Sequence, residues 1–205
     1  MRFLELKNKL KELIIFSIKD VEKINKLIHP PRFVEWQAKG YIKKIIRGYY
    51  ILTDLNINES VLFTIANKIY KPSYISFEMA LSHYRLIPES IYGITSATTR
   101  HTYKFKTDFA PFIYRRIKPK LMFGYKLVEY DNQVYKIAEI EKALIDFFYI
   151  KPDIKNDTDF EELRIDKQSF LEQVDFGKLN SCLKVIDSDV LSRRVRKFIR
   201  YIKNA

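Results

Sequence analysis

KGYIKKIIRGYYIL, Lys39 to Leu52, decides how the chain is read. Its β-branched and aromatic residues form two strand-like runs, Tyr41 to Ile46 and Tyr49 to Leu52. Arg47-Gly48 between them suits a tight hairpin, because Gly supplies the positive φ that such a turn requires. Between Glu35 and Asp54 the only charged residues are Lys39, Lys43, Lys44 and Arg47. A hairpin with several cations and no acid implies either an anionic neighbour or a solvated edge in a basic protein.

Upstream, Phe3, Leu6, Leu10, Leu13 and Ile14 keep helical spacing. Ser17 with Asp20 three positions later resembles a capping box and opens a second helix through about Leu27. His29-Pro30-Pro31 breaks that helix, and a third is expected from Pro31 to Lys39, ended by Gly40. Helix, helix, helix, hairpin is the element order of a winged helix-turn-helix domain, expected here over residues 1–56. In that arrangement the third helix enters the major groove and the hairpin lies along the backbone.

The spacing turns Phe33 and Trp36 inward, with Trp36 as an apolar anchor rather than a stacking platform. Arg32, Glu35 and Lys39 face outward and Gln37 lies nearer the boundary. Arg32 can bond guanine and Gln37 adenine, while Lys39, Lys43, Lys44 and Arg47, with Gly48 at the turn, would meet phosphates.

Downstream, residues 57–205 are expected to form an α+β effector domain, with an antiparallel sheet followed by C-terminal helices. A helix is predicted near Asn58 to Lys68, a break at Pro72, and a short helix capped by Ser76 and running through Tyr84. Gly93 to Ala97, His101 to Lys106, Phe112 to Ile117, Phe123 to Tyr130 and Val134 to Ile137 read as strands, with a turn at Asp131-Asn132. Ala138 to Ile150 is helical again. From Lys151 to Ser192 there are six Lys or Arg against ten Asp or Glu, whereas Arg193 to Ala205 carries six cations and no acid. Leu191, Val195, Phe198, Ile199 and Ile202 share one face of that last helix, leaving Arg193, Arg194, Arg196, Lys197, Arg200 and Lys203 around the rest. Such a helix either binds DNA, a membrane or an acidic partner, or docks by its apolar stripe with a solvated basic face.

Composition narrows the function. The chain has 205 residues, 47% of them hydrophobic, and a formal net charge of +12, so a folded protein with a polyanionic partner is expected. Cys182 is the only cysteine, which excludes an intrachain disulfide and a Cys-rich zinc site. MRFLELKNKLKELIIF interrupts its apolar residues with charge, unlike a signal peptide, and a soluble cytoplasmic protein without a membrane partner is expected.

No cofactor, metal or catalytic residue is expected either. His29, His83 and His101 are scattered, and no GxGxxG, GxxxxGK[ST] or GxSxG motif occurs. Glu139 and Glu141 beside Lys142, with Asp131 and Asp146 nearby, lack the E-x-K spacing of metal-dependent nucleases. Glu139 and Lys142, three apart on a helix, most simply form a surface ion pair.

Three ordered motifs resemble the AbiEi-type antitoxins and transcriptional regulators of bacterial type IV abortive-infection toxin–antitoxin systems. These are WQAKGYIKKIIRGYYIL, KPSYISFEMALSHYRLIPE and AEIEKALIDFFY, and the similarity covers roughly Ser17 to Tyr149. The resemblance implies an N-terminal winged helix that binds inverted repeats in its own promoter. It also implies a second domain that counteracts a co-encoded nucleotidyltransferase toxin. It carries over Lys39, Gly40, Arg47 and Gly48 to the DNA-binding unit, and Tyr74, Ser76, Glu78, Glu141, Lys142 and Asp146 as motif positions of the second domain. The alternative expectation is a stand-alone transcriptional regulator, or a protein-interaction module whose C-terminal domain binds a partner protein.

Overall fold

Ser17 and Asp20 cap the start of a helix with each other. The Asp20 amide donates to Ser17 Oγ at 3.3 Å and the Ser17 amide to Asp20 Oδ2 at 2.8 Å, which satisfies two donors that a helix N-terminus otherwise leaves orphaned. A computed structural model describes residues 3–26, 28–88 and 93–204. Its first part comprises α1 (Phe3–Leu10), β1 (Phe16–Ser17), α2 (Ile18–Ile24), α3 (Pro31–Ala38), β2 (Ile42–Ile46) and β3 (Tyr49–Leu52). The second helix ends at Ile24, earlier than expected; Leu27, its expected end, lies outside the described residues. Pro31 starts α3, and Gly40, at φ +68°, ends it by allowing the Tyr41 amide to donate back to the Trp36 carbonyl at 2.9 Å. The three strands form an antiparallel sheet in the order β1-β3-β2.

The remainder is α4 (Glu59–Ile69), β4 (Ser73–Ile75), α5 (Phe77–His83), β5 (Ile94–Thr98), β6 (Tyr103–Phe105), β7 (Phe112–Arg116), β8 (Tyr125–Tyr130), β9 (Gln133–Ala138), α6 (Ile140–Ile150), α7 (Asp157–Glu162), α8 (Lys167–Gln173), α9 (Phe176–Ile186) and α10 (Asp189–Asn204). The six strands are ordered β6-β7-β5-β4-β9-β8. This sheet is mixed, not antiparallel as expected: β4 runs parallel to β9 and β5 parallel to β7. Two causes are visible. The edge strand β6 is interposed in sequence, so β7 returns in the direction of β5. The buried tripeptide Ser73–Ile75 was too short to show alternation in the sequence, yet it enters the middle of the sheet. Asp131 and Asn132 make the β8–β9 turn at φ +47° and +56°, the double positive φ of a type I′ hairpin.

Two apolar clusters hold these elements. In the smaller, Leu6, Leu10, Val21, Phe33 and Trp36 pack on Phe16, Ile42 and Tyr50 of the three-stranded sheet. The larger gathers the six-stranded sheet with α4, α6, α9 and α10, and it also takes in Ile14, Ile15, Ile45 and Ile51 from the N-terminal side. The three-stranded sheet is therefore covered on both faces, at roughly 1.5–3 kcal/mol for each large side chain so buried.

The terminal helix docks by its apolar stripe, and its Phe198 ring lies 5.1 Å from Phe148 and 5.4 Å from Phe160. Arg194 does not join the solvated basic face. It turns inward and donates to the Phe148 and Lys151 carbonyls, both at 2.8 Å, at the open C-terminal end of α6. Among the described residues, no helix is long and apolar enough to cross a membrane.

Candidate nucleic-acid interface and a buried polar cluster

The outer face of α3 is already paired with itself. Glu35 accepts from Arg32 at 2.8 Å and from Lys39 at 2.7 Å. The Lys39 ammonium, and after it the Arg32 guanidinium, hold the Glu35 carboxyl down at about 2. The triad leaves one net positive charge on this face. Gln37 donates to the Phe33 carbonyl one turn back at 3.0 Å, so its amide is engaged within the helix. Val34, which the sequence reading did not select, is 68% exposed between these charges. Its signal was an apolar residue off the Phe33–Trp36 stripe.

The hairpin divides its cations between two faces. Residues paired directly across strands share a face. Lys43 is opposite Ile51, which belongs to the larger cluster, whereas Lys44 is opposite Tyr50, which packs on Phe33 of α3 with ring centroids 5.0 Å apart. Lys43 leans over the Phe109 ring, Nζ 5.6 Å from its centroid, on the side away from α3. Lys44 and Arg47 are exposed and make no ion pair among the described residues. Gly48, at φ +85° with open space where a Cβ would stand, serves the turn itself. The set read from sequence as one basic surface thus comprises an α3 whose charges are largely paired and sum to one positive, Lys44 and Arg47 open to solvent, and Lys43 facing elsewhere.

On α10, Arg193 reaches back to the Asp189 carbonyl at 3.4 Å. Lys197 donates to the Lys155 carbonyl at 3.1 Å, with Asp157 3.9 Å away. Arg196 and Arg200 remain exposed.

Four of the motif positions meet in the interior. Tyr74, Ser76, Lys142 and Asp146 are all 0% exposed. Tyr74 Oη donates to Asp146 Oδ2 at 2.7 Å and Ser76 Oγ to the same oxygen at 2.8 Å. Lys142 Nζ donates to Tyr74 Oη at 2.8 Å and to the Asp146 carboxylate. Burial, reinforced by Asp146, pushes the Tyr74 phenol far above its ordinary range. With its hydroxyl engaged here, Ser76 does not cap α5; Thr95 Oγ1 accepts the Met79 amide there instead, at 3.1 Å.

The expected Glu139–Lys142 surface pair is not formed. Glu139 pairs with Lys178 at 2.8 Å, while Lys142 points into the protein, because α6 is buried on every side from Ile140 to Phe148 and has no solvent face there. Glu141 is set apart from the cluster and accepts the Asp175 amide at 2.9 Å. Glu78 is also separate, gripped by Arg115 at 2.6 Å and Lys151 at 2.9 Å. Burial acts to raise its pKa, but these two cations outweigh burial and hold the carboxyl below the usual range.

His83 Nδ1 lies 2.8 Å from Glu59, and among the described residues no group of His, Cys, Asp and Glu is arranged to hold a metal ion. Sealed from solvent, the cluster ties Tyr74 of β4 and Ser76 just after it to Lys142 and Asp146 of α6. In comparisons with protein-family models and with curated proteins, no family model and no curated protein matches the chain.

Proposed function

We propose that the protein is a DNA-binding autorepressor and the antitoxin to a co-encoded nucleotidyltransferase toxin. In this reading residues 1–56 act as a winged helix-turn-helix, with α3 in the major groove and the β2–β3 hairpin as the wing. One observation carries it: Lys44 and Arg47 are exposed and, among the described residues, without an ion-pair partner on a hairpin packed against α3. Unpaired cations at that place can replace counterions on phosphates, and the electrostatic part of the affinity then falls as salt rises. Arg32, Val34 and Lys39 would face base edges and adjoining phosphates, with Glu35 limiting how strongly α3 attracts DNA of any sequence. The antitoxin half rests on the motif resemblance in the second half of the chain.

A gel-shift titration against the DNA upstream of its own gene, at several salt concentrations, tests the reading. Specific binding that weakens with salt is expected, and Arg47→Ala should weaken binding to all sequences and reduce the salt slope by about 1. Arg32→Ala should alter sequence preference instead. No specific complex, or a complex insensitive to both salt and these substitutions, overturns it.

A second reading, a protein-interaction module, is favoured by Leu127 and Val134, exposed on neighbouring positions of the β8–β9 hairpin at the sheet edge. Co-purification with the product of the adjacent gene, retained after nuclease treatment and lost in Leu127→Lys, would support that reading in place of the first.

A further inference from the structure

Between α4 and the diverging starts of β4 and β9 lies a pocket of about 360 Å³, lined by Thr64, Asn67, Lys68, Lys71, Ser73 and Lys136 among others. The divergence has a plain cause. β4 and β9 are in register at a single pair, Ile75 and Ile137, so the chain opens on the Ser73 side of it. Gln133 and Val134 also line it, and among the described residues no carboxylate does.

Two buried polar groups at the pocket have no hydrogen-bond partner among the described residues. The Lys136 amide donates to Asn67 Oδ1 at 2.7 Å, which fixes that side chain and leaves its Nδ2 hydrogens with no acceptor. Ser73 is 4% exposed, and its Oγ is also unpartnered. Leaving such groups unsatisfied costs about 1–3 kcal/mol each, and both can donate. Lys71 and Lys68 flank them and make no ion pair at salt-bridge distance among the described residues, while the Lys136 ammonium rests over the Tyr125 ring at 5.1 Å.

From these donors we infer that the pocket binds a small phosphorylated molecule by its phosphate. The amide and the hydroxyl, covered from water in the unliganded protein, turn toward phosphate oxygens as the ligand enters, and the two lysines balance the charge. A phosphate monoester carries about −1.5 to −2 with three acceptor oxygens, which matches this donor set better than a singly charged carboxylate does. The volume is at the small end of ligand sites, ~300–1,000 Å³, so the occupant is of mononucleotide size or less. The site is independent of the proposed DNA contact, and its failure would leave that reading standing.

Calorimetric titration of the full chain with inorganic phosphate, AMP and adenosine tests it. Binding of AMP or of phosphate and none of adenosine is expected. AMP binding more tightly than phosphate would assign the site to a phosphorylated metabolite, and equal affinity would assign it to the free ion. Lys68→Met with Lys71→Met should weaken binding about tenfold or more. Ser73→Ala should leave the unliganded protein as stable as before, because it removes an unsatisfied hydroxyl, and yet lower the affinity. The inference is overturned if neither phosphate nor AMP binds, if adenosine binds as well as AMP, or if the affinity is unchanged in both variants.

Discussion

Lys142 and Asp146 show what a buried charge demands. Each would cost several kcal/mol to remove from water alone, and the pair persists because Asp146 also accepts from Tyr74 and Ser76. Lys142→Met should therefore destabilise the protein by about 3–5 kcal/mol, because it leaves the carboxylate buried and uncompensated. Tyr74→Phe should cost about 1–3 kcal/mol. Urea unfolding of both variants measures this, and a loss for Lys142→Met no larger than that for an exposed lysine would refute the structural role.

Glu78 carries a pH dependence. Its folded carboxyl titrates below the unfolded value, so the stability it contributes is complete above the ordinary Glu range and disappears as pH falls through the depressed folded pKa. Wild type should out-melt Glu78→Gln near pH 7, at about 1–3 kcal/mol, and the two should converge in acid. A gap that persists or widens in acid would contradict the assignment. At this scale the sequence was a partial guide. It identified Lys142 and Asp146 as positions of interest, but spacing alone put Lys142 on the surface, since nothing in an i, i+3 pattern reports that a helix is enclosed on all sides.

Elements were legible wherever a local device defines them. The Ser17–Asp20 box, the Pro31 start and Gly40 stop of α3, and the Arg47-Gly48 and Asp131-Asn132 turns each depend on residues adjacent in sequence, and each is found where expected. The mixed character of the large sheet was not legible, because it is decided by β4, whose three residues have too little length to declare a period. The terminal helix illustrates the same limit, since its arginines look equivalent in sequence but differ in partner. Arg194→Ala frees two carbonyls at the end of α6 and should cost about 1–3 kcal/mol, whereas Arg196→Ala should stay within about 0.5 kcal/mol. Thermal melts of the two variants make the comparison, and equal losses would mean that the inward turn of Arg194 contributes nothing. In the candidate DNA surface, pairing register had the same effect: adjacent lysines at 43 and 44 were indistinguishable until strand partners assigned them to opposite faces.

Across the whole molecule, the three-stranded sheet belongs to two cores at once. Ile42 and Tyr50 face the smaller cluster, and Ile45 and Ile51 the larger. The two should consequently unfold together. Trp36, the single tryptophan, sits in the smaller cluster and reports on it by fluorescence, while the far-ultraviolet signal reports on every helix. Their denaturation curves should coincide, and Ile51→Ala should shift both by about 2–5 kcal/mol. A fluorescence transition that precedes the helical one would show that the N-terminal part melts alone. The doubly covered sheet also limits what protein engineers can do with this chain. Severing it after Asn56, or grafting its first three helices and hairpin onto a foreign effector, would strip Ile14, Ile15, Ile45 and Ile51 of their cover. The resulting chimaera would carry a greasy seam and need a matching surface to stay in solution.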